Sequence, residues 1–268
     1  MQYLSLCFIA RDEHQRDLDE FICYHKLLGV EKFYAYDNGS KVPLSETLKK
    51  YDDDLVSIIE CPGEAMQMRA YNDCIHRFNQ ETKWLLVVDC DEFVVPKTKD
   101  TIPEILCDYD LVPGCGGLGI NWKIFGSNKH LTKPDGLVIE NYTMAMAESH
   151  VESRHIKTCL KMEHTLRPAG DPHSFTYKPG YVCMNENYIP IVGPFSNHSS
   201  SKIGINHYCL KSLEEYKINK LGRPRADTTK WSGKTLEDFY RFDKDCIEED
   251  KDIFRFIPRL KEQFLLHI

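Results

Sequence analysis

The chain has 268 residues, 42% hydrophobic and 28% charged, and a formal net charge of −7. Its length allows one large α/β domain or two small ones, and an acidic chain whose basic residues do not cluster is no non-specific binder of nucleic acid or of an anionic membrane. No apolar run reaches the roughly 18 to 20 residues of a membrane span, and the N-terminal "YLSLCFIA" has no basic lead, so the expectation is no transmembrane segment and no signal peptide.

In chain order, "YLSLCFIA" reads as a strand, and Leu18, Phe21, Ile22, His25 and Leu28 recur at helical spacing with Gly29 placed to end the helix. "EKFYAYDN" is a second strand closed by Asn38, Gly39 and Ser40. Leu44 and Leu48 mark a short helix, "LVSIIEC" a third strand, and Met68, Tyr71, Ile75 and Phe78 the inner stripe of another helix. "WLLVV" follows, apolar on both faces, as suits a strand near the centre of a sheet covered on both sides.

The second half is less regular. "GLGINW", "GLVIENY", "IKTCLKM" and "IGINHYCL" read as strands, and the Pro, Gly and Asn-rich stretch 167–199 as loop or lid. Ser212 with Glu215, and Thr101 with Glu104, have the spacing of capping boxes that start helices. The expected organisation is a single domain: a regular α/β half over 1–95, an irregular half over 96–225 and a helical tail over 226–268.

Eleven cysteines, odd in number and scattered without a C-x-x-C pair, read as buried thiols in a reducing compartment, and the histidines of "ESHVESRH" lack a zinc pattern. No phosphate-binding glycine loop and no G-x-S-x-G elbow is present, and "GCGGLG" precedes a strand where a dinucleotide fingerprint would open a helix.

The chemistry concentrates in "WLLVVDCDEF", where Asp89, Asp91 and Glu92 follow the most apolar strand. Ligands in such sheets bind beyond the carboxyl ends of the strands. Positions two apart on an extended chain point the same way, so Asp89 and Asp91 can converge on one object while Cys90 turns back. Carboxylates held together repel, and a divalent cation removes the problem. Oxygen ligands favour Mg²⁺, Mn²⁺ or Ca²⁺ over zinc, and ions of the Mg²⁺ type take their remaining ligands from water and substrate phosphates. That points to a phosphorylated substrate.

The ordered set "ARDE" (10–13), "YAYDNGS" (34–40), "QMRAYNDCI" (67–75), "WLLVVDCDEF" (84–93), "NWKIFGS" (121–127) and "INHYCLKSLEEYKINKLGR" (205–223) resembles glycosyltransferase family 92 and its relatives among GT-A glycosyltransferases. The resemblance implies a GT-A-type, Rossmann-like, mostly parallel sheet flanked by helices, with an irregular mixed C-terminal half. It implies transfer of a sugar from a nucleotide diphosphate sugar, a UDP-sugar favoured, to a hydroxyl of a glycan acceptor, with inversion and with Mn²⁺ or Mg²⁺. Arg11, Asp12, Glu13 and Asp37 would border the nucleoside, and Arg69 and Asn72, three apart on one helix, would reach the nucleotide side. Asp12 and Glu13 equally suit the first turn of the following helix.

Asp89, Asp91 and His207 would hold the metal, and Lys211 would carry a charge suited to the diphosphate. The strand pattern by itself puts His207 on a face with Ile203, Ile205 and Cys209, where a half-buried core histidine is the ordinary outcome. Trp122, Phe125 and Gly126 would belong to the acceptor side. Asp171 and Glu148, with His173 as a third, are the candidates for the base that deprotonates the acceptor hydroxyl. Two further readings stand beside transfer of a sugar: a metal-dependent nucleotidyl or phosphoryl transferase, and a sugar-binding module without turnover. The expected location is the cytoplasm of a microbe or of a virus-infected host.

Overall fold

The structure is a computed structural model and describes the chain apart from residues 224, 225, 230–232, 267 and 268. The first half is β1 (Gln2–Ala10), α1 (Gln15–Leu27), β2 (Lys32–Asp37), α2 (Leu44–Thr47), β3 (Val56–Glu60), α3 (Gln67–Phe78), β4 (Thr82–Val87), β5 (Glu92–Pro96) and α4 (Ile102–Leu106). The alternation read from hydrophobic periodicity is the observed one. Strands β3, β2, β1 and β4 lie side by side in that order, all parallel.

Alternation along β1 divides the core in two. Leu4, Leu6 and Phe8 pack with Leu18, Phe21 and Ile22 of α1, whereas Cys7 and Ile9 face Tyr71, Cys74 and Ile75 of α3. Gly29 ends the first helix region at φ 95°, a backbone conformation that costs glycine little. The register sets Ala10 opposite Asp37, Asp37 opposite Glu60 and Cys7 opposite Val87, so the turns carrying Asp37 and Asp89 emerge at one edge of the sheet. Because the chain passes from β1 outward to β3 and returns beyond β1 to β4, that edge is where the strand order reverses, the ordinary ligand crevice of open α/β sheets.

The second half comprises β6 (Cys115–Ile124), α5 (Val138–Asn141), β7 (Met144–Met146), β8 (Ile156–Lys161), β9 (Thr165–Pro168), β10 (Phe175–Tyr177), β11 (Val182–Met184), β12 (Pro190–Ile191), β13 (Ile203–His207), α6 (Leu213–Asn219), α7 (Leu236–Asp245), β14 (Cys246–Glu249) and α8 (Ile257–Leu266). It extends the same sheet: β8 runs antiparallel to β4, β6 antiparallel to β8, and β11 parallel to β6. Strand β13 joins β6 in parallel and β5 antiparallel.

Three expectations are corrected here. "GLVIENY" contains a helical turn, because the backbone N–H groups of Val138 and Ile139 donate to the buried Glu20 carboxylate at 2.7 and 3.0 Å, which rewards a helix N-terminus over a strand ladder. The stretch 167–199 is not one loop: it holds β10, β11 and β12, the last two adding to the sheet edge beyond β6. The tail is not purely helical, since β14 pairs antiparallel with β7. Both expected capping boxes are formed.

Candidate functional site

The site is assembled by three strand ends. Asp89 and Asp91 follow β4, Lys157 comes from β8, and His207 is the last residue of β13, paired with Glu92 across the ladder. Lys157 has none of its side chain exposed, and its ammonium lies 2.8 Å from Asp89 Oδ2 and 3.3 Å from Glu92 Oε2. Asp89 Oδ1 accepts from Gln67 Nε2 at 2.7 Å and from Tyr71 Oη at 3.3 Å, so α3 and β8 hold this carboxylate between them. Asp91 Oδ2 accepts from Lys220, at the end of α6, at 2.7 Å. Asp91 Oδ1 faces His207 Nε2 at 3.5 Å.

The mutual repulsion expected of the carboxylates is therefore offset by two lysines that the sequence reading passed over. Burial raises the Asp89 carboxyl, but Lys157 outweighs it and holds the group below the usual carboxylate range. Burial acts on Asp91 in the same sense, and Lys220 and His207 hold it well below that range. Glu92 differs: burial pushes it well up, and Lys157 offsets only part. Burial lowers His207, opposed by Asp91, so the imidazole is neutral near pH 7. A lysine inside the apolar "IKTCLKM" strand is the one signal that could have found Lys157. Lys220 sits in an ordinary amphipathic helix and leaves no such signal.

Among the described residues no group of three His, Cys, Asp or Glu side chains stands ready to hold a metal ion. What is present is a carboxylate oxygen and an imidazole nitrogen facing each other across 3.5 Å. That is a span two ligands of one small cation can bridge. It suits an ion of the Mg²⁺ type, which uses one or two protein ligands and fills its shell with water and phosphate oxygens. The oxygens of Asp89 are already engaged, so the donor set fits through Asp91 and His207.

Around this pair the rings of Trp122 and His207 meet at 4.5 Å, His155 stacks on Trp122 at 4.8 Å, and His173 meets the indole edge-on at 5.2 Å. His173 Nδ1 lies 2.8 Å from the Ile156 carbonyl, and burial, reinforced by Lys157, brings its pKa down to about 4. Phe125 is wholly buried against Tyr208, and a Cβ on Gly126 would meet Cys246 Cβ at 2.7 Å, so these two pack the core.

The remaining candidates sit as follows. Asp37 is buried and spends its two oxygens on the backbone N–H groups of Ser40 and Leu44, which shapes the turn after β2. Asp12 precedes the helix at φ 56° and accepts from Lys41 N, and Glu13 lies 3.5 Å from Arg223; neither enters the first turn of α1, which His14 caps. Arg11 and Arg69 are exposed and Asn72 half-buried. Lys211 is bound to Asp17, a residue of α1 whose other oxygen takes Lys133 at 2.7 Å. Asp171 is consumed locally, accepting from the N–H groups of His173 and Ser174 and from the Ser174 hydroxyl. Glu148 lines a cavity of about 350 Å³ with Ser149, Arg154, Asn197 and His198, a set that includes neither aspartate.

A parallel sheet in the order β3-β2-β1-β4 with two aspartates following β4 at its reversal point makes this an open α/β protein whose candidate ligand crevice lies at that edge. The chain belongs to glycosyltransferase family 92, whose model matches residues 3–168. A family 92 protein of Oryza sativa subsp. japonica is 25% identical over 232 residues, covering 85% of this chain and 37% of that protein. One of Ricinus communis is 32% identical over 224 residues, covering 80% and 36%. The chain thus spans little more than a third of the length of these curated relatives. Among solved structures, residues 1–349 of S. aureus TarS align with 60% of this chain and 47% of that one at 12% identity and a TM-score of 0.39. All eleven cysteines are free thiols, and all but Cys90 and Cys107 are buried. Among the described residues no helix is long and apolar enough to cross a membrane.

Proposed function

We propose that this chain transfers a sugar from a nucleotide diphosphate sugar, a UDP-sugar, to a hydroxyl of a glycan acceptor, with inversion at the anomeric carbon. The observation that carries the reading is the facing of Asp91 and His207 at the reversal point of the sheet in a family 92 chain. Asp91 and His207 would hold a Mn²⁺ or Mg²⁺ ion, which when bound would supply positive charge to the departing diphosphate, and Asp89, anchored by Lys157, would border the nucleotide. Asp37 and the turn after β1, with Arg11, Asp12 and Glu13, supply the neighbouring wall, and Arg69 and Asn72 approach from α3.

The acceptor hydroxyl oxygen bonds to the anomeric carbon as the bond from that carbon to the diphosphate oxygen breaks, its electron pair leaving with the nucleotide. The hydroxyl proton needs a base. With Asp171 committed to its own turn and Glu148 facing Lys123 and Ser200, His173 is the candidate the geometry favours. Its Nδ1 is turned to a carbonyl, which leaves the lone pair on Nε2 to take a proton, and its ring lies against the Trp122 indole. The free thiols suit the cytoplasm as the place of action.

The test is incubation with a panel of sugar nucleotides and Mn²⁺ in the presence of mixed oligosaccharides, reading nucleotide diphosphate release. Release from UDP-sugars supports the proposal. Pyrophosphate as the product would replace it with nucleotidyl transfer, and binding without release would replace it with a sugar-binding module.

A further inference from the structure

Glu92 and His207 are partners in the β5–β13 ladder, and their pairing leaves two polar atoms without an explanation. Glu92 is wholly buried, and its Oε2 accepts the Asp89 backbone N–H at 2.8 Å and lies 3.3 Å from the Lys157 ammonium. Among the described residues its Oε1 has no hydrogen-bond partner, and neither has the buried Nδ1 of His207. The two atoms face each other at 3.8 Å. A buried polar atom without a partner loses its hydration and gains nothing in return. Two such atoms aimed at each other define a contact that closes with a shift of under about 1 Å to ordinary hydrogen-bond length. Across the same ring, Nε2 points to Asp91 Oδ1, and Trp122 packs on the ring.

We infer that Glu92 is the positioning residue of His207: with the positive charge of a divalent cation added to that of Lys157, Glu92 would be ionised and its Oε1 would take the hydrogen on Nδ1, which presents the Nε2 lone pair toward Asp91, where the cation would be shared. This rests on the metal reading of the preceding subsection. An imidazole that binds a metal through one nitrogen is oriented by what the other nitrogen donates to, and losing that partner typically weakens metal affinity about 10–100-fold. The ladder makes the arrangement specific to Glu92, because no other residue of β5 is paired with His207.

Glu92→Gln has nearly the same shape and inverts the hydrogen bond. The donors at the Oε2 position, Asp89 N–H and Lys157, require the amide oxygen there, so the amide N–H₂ faces Nδ1, and the ring hydrogen must move to Nε2. The experiment uses the full chain labelled with ¹⁵N-histidine, in Mg²⁺ and UDP, with the His207 signals assigned by their loss in His207→Ala. The wild type is expected in the Nδ1–H tautomer and Glu92→Gln in the Nε2–H tautomer. In parallel, Mn²⁺ affinity is read from the electron paramagnetic resonance of the free ion, with and without UDP. A fall of about 10–100-fold in Glu92→Gln is expected. An Nε2–H tautomer in the wild type, or Mn²⁺ affinity unchanged in Glu92→Gln while His207→Ala loses it, overturns the positioning role alone. Mn²⁺ binding that His207→Ala leaves intact, or that the wild type lacks, overturns the metal reading as well.

Discussion

The Lys157 ammonium touches the carboxylates of both Asp89 and Glu92, at 2.8 and 3.3 Å, from a side chain with no exposed surface. Burial opposes its charge, and the two carboxylates more than restore it, raising the ammonium above its usual range. This lysine joins the antiparallel extension of the sheet to its parallel half, because β8 lies against β4 with Thr158 opposite Val87.

Removing that cation leaves buried carboxylates unpaired. Lys157→Met is expected to destabilise the protein by about 3–5 kcal/mol, the cost of breaking a buried ion pair from one side. Urea denaturation at neutral pH measures it. A change below about 1 kcal/mol would show that water reaches Asp89 and replaces the lysine.

Asp91→Asn tests the proposed centre. Transfer is expected to fall by at least about a hundredfold, the scale of losing one transition-state charge stabiliser. Lys220, its partner, keeps 28% of its side chain exposed and can turn to water, but the variant forgoes the stability that the ionised Asp91 contributes, so its denaturation midpoint at pH 7 lies below that of the wild type. The folded carboxyl lies well below its unfolded value, so its contribution is present above about pH 4 and is lost as pH falls through the folded value. The variant should lack that acid-limb loss in denaturation midpoints compared at pH 7 and pH 3.

His207→Ala separates a ligand from a core histidine. The expected outcome is weaker Mn²⁺-assisted UDP binding by more than tenfold, with a stability cost of about 1 kcal/mol from the lost ring contact with Trp122. Calorimetry on one preparation gives both quantities. A large drop in melting temperature with unchanged Mn²⁺ dependence would return His207 to the core.

Glu20 sets a separate pH dependence. Burial raises its pKa to about 7 despite hydrogen bonds from Ile139 and Val138, above the ordinary 4.5. The folded state therefore holds the extra proton between these values, and stability declines as pH rises from about 4.5 to about 7. Glu20→Gln is expected to flatten that slope, as measured by urea midpoints at half-unit pH steps. A slope unchanged from the wild type would assign it to another group.

The sequence by itself determined the parallel half of the sheet. Period-2 alternation in "YLSLCFIA", the doubly apolar "WLLVV" and the helical stripe of Tyr71, Ile75 and Phe78 are local patterns, and parallel strands covered on both faces are the arrangement that buries them all. The capping boxes at Thr101 and Ser212 were legible for the same reason, since a cap is made within four residues. What joined the carboxylates to their partners was decided by strand pairing over long distances: β8 against β4 brings Lys157 to Asp89, β13 against β5 brings His207 to Glu92, and the end of α6 brings Lys220 to Asp91. Short strands such as β11 and β12 have too few residues to show a period and exist because a sheet edge offers them partners. Lys211 and Lys220 look alike at the two ends of α6. Only the packing of that segment sends the first to Asp17 and the second to Asp91, because each ammonium is desolvated against whichever carboxylate the fold places within reach.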